Sequence, residues 1–580
     1  MTDLTALLIK TAGRHPDKVA VADDEHELTY SELFAAAAHT AARLREQRPG
    51  DGPVLIALAP GTAWVAALLG AWHAGAPAVP IDVTHPPERL RQIAAACRAT
   101  TVLTPTGTAP GWAEGLTALA PATTPVPPGT GWPGLSVDEE AIACIWHTSG
   151  STGTPKPVMV SHRAVAARAA ALPQWAGLAP RDRVAQLTAL TFDAVLWEVL
   201  GALTVGARLQ IAAPRDRVPG PALPRFLAKH KITAFTGTPT YLSAAPYTEL
   251  PHLRRIVLGG EALHPGPLEQ WISRYDVTNA YGPTEACVDA IVHRHVNPGE
   301  DPVPIGLPLP GVRAWVLDDY QQPVAAGVAG ELYLGGAGLA SGYLGQPGPT
   351  TKAFLLLKLT GPDGVRRPER VYRTGDVVRE RPQDGRFVFL GRADDQLNVG
   401  GVRLEPAEVE QAATQIPGVR AAALLTDRGT SGRPRLVLHV ETDDTDLPER
   451  LRRQLADRLP PAAVPALITT RPALPRTSSG KIDRRALAAT SAAEPVSPQE
   501  GTRAVEPGLP EAVAGWWQEQ TGAPADGTRD FFASGGDSLG ALLLLQQINE
   551  KYGTEIPLDA FYADPTTRFL TTALTPGSTP

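Results

Sequence analysis

Thr148-Ser149-Gly150-Ser151-Thr152-Gly153-Thr154-Pro155-Lys156 is the stretch on which the reading of this chain turns. It follows an apolar run, AIACIW at 141–146. Small residues let backbone N–H groups come close to an anion, the hydroxyls add donors and Lys156 adds charge, which together suit a phosphate. A polar surface loop can have the same composition, but nine residues without filler favour phosphate binding. The pattern is not the Gly-x-x-x-x-Gly-Lys-Ser/Thr of P-loop hydrolases. The nearest approach, Ser479-Gly480-Lys481, is followed by Ile482 and has Pro475 where the first glycine belongs.

Outward from this loop, helical and strand-like pieces alternate through the first 390 or so residues. Positions 32–46 and 62–74 carry helical apolar spacing, and 53–58 and 77–82 read as buried strands, a βα rhythm that predicts α/β layers with largely parallel sheets. Around 302–345, RAWVLDD and GELYLGG between Gly and Pro predict a smaller β unit. Beyond a boundary at Gly391–Gln396, segments 405–415, 420–427, 434–440 and 447–458 predict a small α+β piece. Residues 491–509 have linker composition, and helices are expected at 511–521 and 538–551.

The chain has 580 residues, too many for one core, with 43% apolar and 19% charged residues and a net charge of −7. That balance predicts a soluble protein of several domains and gives no reason to expect nucleic acid or an anionic membrane as partner. No signal-peptide pattern or membrane-spanning run is present, so a cytoplasmic location is expected. Cys97, Cys144 and Cys287 form no metal or disulfide pattern and are expected to be buried thiols.

Further motifs follow in order: Leu28-Thr29-Tyr30-Ser31-Glu32-Leu33; His73-Ala74-Gly75 leading to Val79-Pro80-Ile81-Asp82; Tyr281-Gly282-Pro283-Thr284-Glu285; Gly330-Glu331-Leu332-Tyr333; Tyr372-Arg373-Thr374-Gly375-Asp376; Gly391-Arg392 with Asp394; and Ser479-Gly480-Lys481-Ile482-Asp483-Arg484. With the loop at 148–156, the set resembles the adenylate-forming superfamily of acyl-CoA synthetases, luciferases and nonribosomal peptide synthetase adenylation domains, over roughly residues 10–490. The resemblance implies an α/β class: a large multi-sheet adenylation core with a β subdomain (1–391), then a small α+β mobile lid (392–490). It implies ATP and Mg²⁺. Thr148, Ser149, Gly150, Ser151, Thr152, Gly153 and Lys156 would hold phosphates. Tyr281 would stack on adenine, Asp376 would accept the ribose hydroxyls, and Phe389 and Arg392 would line the same nucleotide pocket. The family often has Tyr where Phe389 stands. Glu285 would bind Mg²⁺, Thr284 would donate to the α-phosphate, and Lys481 would bridge the substrate carboxylate and the α-phosphate. Asp394 would be the hinge of the lid.

Asp193, in Thr-Phe-Asp-Ala-Val-Leu-Trp-Glu at 191–198, matches the aspartate that pairs with a substrate ammonium in amino-acid-activating members. It also reads as the N-cap of a helix starting near Val195. The other specificity positions carry over to Ala194, Trp197, Thr236, Val257, Gly259, Ala280, Val288, Asp289 and Lys481. Gly259 and Ala280 leave room for a long side chain. Asp289 needs a partner, which a substrate guanidinium, ammonium or hydroxyl would supply. The pattern resembles arginine-type codes most, with Trp197 to flank a guanidinium, and next Phe or Tyr, where Asp289 would need a water or a protein group.

Asp530-Phe-Phe-Ala-Ser-Gly-Gly-Asp-Ser538-Leu-Gly resembles a peptidyl carrier site, with Ser538 taking 4′-phosphopantetheine in an all-α bundle at 509–574 after the linker 491–508. An ordinary Ser N-cap is the plainer alternative. The resemblance implies aminoacyl-AMP formation, then thioester loading in cis. It also implies a phosphopantetheinyl transferase, a downstream condensation or tailoring enzyme in trans, and in some cases an MbtH-like helper; a monomer is expected, because an alternating lid and a tethered carrier need open surroundings. A CoA ligase with a helical tail and a non-catalytic scaffold are the competing classes; Asp193 and Ser538 argue against the first, and the retained Lys156, Glu285, Asp376 and Lys481 against the second.

Overall fold

The computed structural model describes residues 4–48, 50–122, 137–149, 155–361, 364–394, 396–428, 434–444, 447–477, 482–493, 508–526, 530–532 and 534–575. The chain divides into two compact units, Met1–Thr148 with Pro155–Asp394, and Ser149–Thr154 with Asp395–Pro580.

Among the described residues, the first unit holds a nine-stranded, a seven-stranded and a five-stranded sheet. In the nine-stranded sheet, Val19–Ala22, Arg208–Ile211, Arg183–Gln186, Ala234–Gly237, Arg255–Gly259 and Asp276–Tyr281 run parallel, with antiparallel strands at both edges. These strands are short and nearly all buried, as expected when helices cover a parallel sheet. The helices Tyr30–Gln47, Thr62–His73, His162–Ala176 and Val195–Leu203 share one hydrophobic core with strands of the nine- and seven-stranded sheets. The Thr62–His73 helix is buried almost all round, so its sequence carries no polar face.

The motif at 28–33 has a local physical reason. Thr29 caps the Tyr30–Gln47 helix, accepting from Glu32 N–H, while the Glu32 carboxylate accepts from Thr29 N–H at 2.8 Å. That capping box satisfies two donors a helix start leaves open. The five-stranded sheet is the β unit expected near 302–345, with Val312–Leu317 paired to Ala329–Gly336.

In the second unit, a three-stranded sheet of Ala421–Arg428, Pro434–Glu441 and Leu467–Arg471 packs with the helices Pro406–Thr414 and Leu447–Ala456. A helical bundle follows: Glu511–Thr521, Ser538–Tyr552, Leu558–Ala563 and Thr567–Ala573. Its centre is aromatic, with the Phe531 ring edge-on to Trp517, Phe532 and Phe561 at centroid distances of 5.1, 5.3 and 5.6 Å. Ala541, Leu544, Leu545 and Ile548 supply the buried stripe of the second helix.

The bundle also touches the α+β part of its own unit. Arg452, 6% exposed, pairs with Asp530 and lies over the Phe532 ring at 5.3 Å. Arg435, fixed bidentately by Asp427 at 2.6 and 3.1 Å, donates to the Phe532 carbonyl at 3.2 Å. Ala466 sits in the bundle's apolar cluster. No described helix is long and apolar enough to cross a membrane. All three cysteines are free and buried.

Candidate active site

The strands Ala234–Gly237, Arg255–Gly259 and Asp276–Tyr281 lie side by side and parallel, with Thr236 opposite Val257 and Gly259 opposite Ala280. Their carboxyl ends therefore bring Thr236, Gly259, Ala280 and Tyr281 to one edge, where ligands bind in open α/β sheets. Gly259 does more than leave room for a substrate. A Cβ there would lie 2.8 Å from the Ala280 carbonyl, so the neighbouring strand also demands glycine.

After Tyr281 the chain turns sharply through the short 3₁₀ helix Thr284–Ala286. Cys287 and Val288 then take left-handed φ values of 58° and 67°, a strained choice for a β-branched residue. The turn folds back so tightly that a Cβ on Gly282 would sit 1.6 Å from the Val288 carbonyl oxygen. This reversal presents Val288 and Asp289 to a pocket whose other walls include Trp175, Trp197 and Leu200. The pocket is partly open to solvent. Trp175 and Trp197 stack at a tilt, 6.4 Å between centroids.

Asp193 does not cap the Val195–Leu203 helix: Ala194 holds the cap position, in αR conformation and with no side-chain bond. Its carboxylate instead draws the Thr284 hydroxyl and the Val288 and Ala194 N–H groups. Oδ2 is buried without a hydrogen-bond partner among the described residues. Burial, with Glu285 nearby adding to it, pushes the Asp193 carboxyl up to about 6. Asp289 is pushed up to about 7, again by burial, with Arg168 opposing and Asp193 adding to the shift. Glu198, one turn on, is a structural anchor: it accepts from Leu187 and Thr188 N–H at 2.9 Å and from Gln186 at 3.0 Å.

A second cluster surrounds Asp376, on the long strand Arg366–Glu380. The Tyr281 phenol donates to its Oδ2, and Arg392 Nη1 donates to its Oδ1 at 2.7 Å. Arg392 also holds Asp394, through Nε at 2.7 Å and Nη2 at 2.8 Å. A carboxylate oxygen can accept more than one hydrogen bond, so this position suits an incoming hydroxyl. Phe389 is half-buried on Phe387–Arg392, two strand positions from Gly391. Glu285 is 1% exposed and accepts from Tyr343 Oη at 2.8 Å. A buried carboxylate of this kind fits Mg²⁺, which is commonly held by one or two carboxylates plus substrate phosphates.

Thr148 and Lys156 are cross-strand partners that close the hairpin of Ile142–Thr148 and Lys156–Ser161. Ser149 follows directly; Gly150, Ser151, Thr152 and Gly153, and Lys481, lie outside the described residues. In the bundle, Asp537 and not Ser538 is the N-cap, accepting from Gly540 N–H at 2.7 Å. Ser538 is therefore the first residue of the Ser538–Tyr552 helix. Gly536 is a steric necessity, because a Cβ there would lie 2.2 Å from the Phe531 ring.

Sequence reasoning did not single out Arg168. It stands on the His162–Ala176 helix, 5% exposed, and lines the same pocket as Asp289. Its signal was its register: Ala164, Val165, Ala169 and Leu172 form the buried stripe of that helix, and Arg168 falls within it.

Residues 8–344 match the family model for the AMP-binding enzyme. The chain belongs to that family. Residues 408–481 match the AMP-binding enzyme C-terminal domain, and 511–574 the phosphopantetheine attachment site. Phosphinothricin tripeptide synthetase PhsC of Streptomyces viridochromogenes is 36% identical over 97% of this chain, and a dimodular nonribosomal peptide synthase of Bacillus subtilis is 34% identical over 98%. The match spans 52% of the first relative and 25% of the second, so the chain corresponds to a portion of each. Holo-PA1221, an NRPS protein with adenylation and PCP domains solved with a vinylsulfonamide inhibitor, superposes with a TM-score of 0.76 at 26% identity, covering 94% of this chain and 92% of that one. An artificially fused adenylation–PCP di-domain from Klebsiella oxytoca gives 0.71 at 25% identity, covering 81% and 94%. This AMP-binding enzyme has the adenylation–carrier organisation of the nonribosomal peptide synthetase type and carries a phosphopantetheine attachment site.

Proposed function

We propose that this enzyme activates an α-amino acid as its adenylate, releasing pyrophosphate, and passes the aminoacyl group to its own carrier at Ser538 for assembly of a peptide natural product. The observation that carries the amino-acid assignment is the buried, unpartnered Oδ2 of Asp193 beside the pocket wall at Val288. A buried carboxylate oxygen without a donor is costly, and a substrate ammonium supplies one with full charge complementarity. An aryl or fatty acid does not.

The substrate carboxylate attacks the α-phosphorus of ATP and pyrophosphate leaves. In this reading Asp376 takes the ribose hydroxyls, Tyr281 and Phe389 the base, and the 148–153 loop with Lys156 the phosphates. Lys481 and Thr284 act at the α-phosphate. Positioning and charge neutralisation supply most of the rate in such transfers. Bound Mg²⁺, held by Glu285, would offset phosphate charge. The prosthetic group on Ser538 would supply the acceptor thiol. The functional boundaries follow as core 1–391, lid 392–490 turning about Asp394, linker 491–508 and carrier 509–574. A phosphopantetheinyl transferase would modify Ser538, and a condensation or tailoring activity would consume the thioester.

For the side chain, arginine and the aromatic amino acids fare differently. Arg168 already brings positive charge to Asp289, so a substrate arginine would meet a like charge, whereas a tyrosine hydroxyl would not. The test is amino-acid-dependent exchange of labelled pyrophosphate into ATP, across the common amino acids with aryl and fatty acids alongside. Exchange with amino acids that is lost in Asp193→Ala supports the assignment. Exchange confined to acids lacking an α-amine would overturn it.

A further inference from the structure

The guanidinium of Arg168 is buried, and its Nε and Nη1 find no hydrogen-bond partner among the described residues. Its placement is built in. Gly338 leaves the space it occupies: a Cβ there would lie 2.2 Å from Nη2 and 3.2 Å from the Ala286 carbonyl oxygen. Asp289 shares the pocket with it, delivered by the strained turn through Cys287 and Val288. The other walls are largely apolar, among them Leu172 and Trp175, with the Trp197 indole N–H a further buried donor that finds no partner among the described residues.

A buried cation with idle donors is expensive to keep. Within the adenylation chemistry described above it has no task, and it faces the space a substrate side chain would fill. Resting on the amino-acid reading and deepening it, we propose that Arg168 is a specificity-determining residue, and that with Asp289 it selects an amino acid whose side chain ends in a neutral group that both accepts and donates hydrogen bonds, such as a carboxamide, a ureido group or a phenol. Such a group accepts from Arg168 and donates to Asp289. A guanidinium or ammonium offers Arg168 no acceptor and adds a like charge. A carboxylate satisfies Arg168 but opposes Asp289. An apolar side chain leaves both groups unpaired, the arrangement that polar pockets reject most strongly. Burial raises the Asp289 carboxyl and weakens the Arg168 cation, so neither group fully offsets the other.

The test uses the full chain and pyrophosphate exchange with glutamine, citrulline and tyrosine against arginine, glutamate, phenylalanine and leucine. Expected is exchange strongest with one of the first three. Arg168→Leu should raise KM for that amino acid about 10- to 100-fold, leave KM for ATP unchanged, and move preference toward its apolar counterpart. Arg168→Lys should recover part of the loss. If Arg168→Leu does not fold, Asp289→Asn with the same panel carries the test, with preference expected to shift among the same substrates. Strongest exchange with arginine, glutamate or an apolar residue, or an unchanged ranking in the variants, would overturn the proposal. Exchange only with acids lacking an α-amine would remove the amino-acid reading itself, and this inference with it.

Discussion

Asp193 and Asp376 do opposite things with the same functional group. Asp376 is engaged by chain donors, with Tyr281 on one oxygen and Arg392 on the other, and so is held ready as a rigid acceptor. Asp193 keeps an oxygen idle. For Asp376→Ala, KM for ATP should rise at least 10-fold, since charge-assisted bonds to a buried carboxylate are worth about 1.5–3 kcal/mol each; initial-rate kinetics at saturating amino acid would read this. Asp193 also sets a pH dependence. Its charged form is the one that pairs with an ammonium, and burial raises its carboxyl to about 6, with the Thr284 hydroxyl, Glu285 and Asp289 facing it. Protonation therefore removes the partner as pH falls. The expected kcat/KM for the amino acid is flat at pH 8 and declines through about pH 6, to roughly a tenth by pH 5. A profile still level at pH 5 would contradict the assignment. Asp193, Asp376 and Glu285 stood out in sequence because each sits in a motif of several residues. Arg168 was not, because a lone arginine in an alanine-rich helix carries no motif, and only its register marks it.

At the scale of elements, sequence periodicity located most helices but missed how some begin. The first apolar stretch reads as starting at 32; the helix starts at Tyr30 because Thr29 and Glu32 cap each other. A cap also reads as the plainer alternative for Asp193 and Ser538, but the structure has Ala194 in one cap position and Asp537 in the other. Periodicity reports burial, while caps depend on backbone geometry that spacing does not encode. The turn at 282–289 was illegible for a related reason: no composition rule predicts two successive non-glycine residues at positive φ. Asp537→Ala should cost the bundle about 1 kcal/mol, seen as a lower midpoint in thermal unfolding monitored through its tryptophans. Gly536→Ala should cost about 1–3 kcal/mol, because the Phe531 ring has nowhere to move within its aromatic cluster, and modification of Ser538 by a phosphopantetheinyl transferase should slow in parallel. An unchanged unfolding midpoint in Gly536→Ala would show that the ring yields.

The molecule as a whole parts at Asp394, where its first unit ends, and the order of its parts was legible because each carries its own motif. What sequence could not supply was the joint inside the second unit, where Arg452 meets Asp530 and Arg435 meets Phe532. Long-range pairs leave no trace in local spacing. In Arg452→Ala, hydrogen exchange around 530–532 and in the Leu558–Ala563 helix should quicken while pyrophosphate exchange changes less than about twofold, since the adenylation residues lie elsewhere; equal protection in both proteins would show the joint to be incidental. The joint also bears on recombining such chains. A foreign carrier with no acid where Asp530 stands, grafted directly behind residues 482–493, would leave Arg452 buried beside no counterion, a loss of about 3–5 kcal/mol when one member of a buried pair is removed. Grafts cut ahead of Gln396, moving both parts as a single cassette, keep the pair intact.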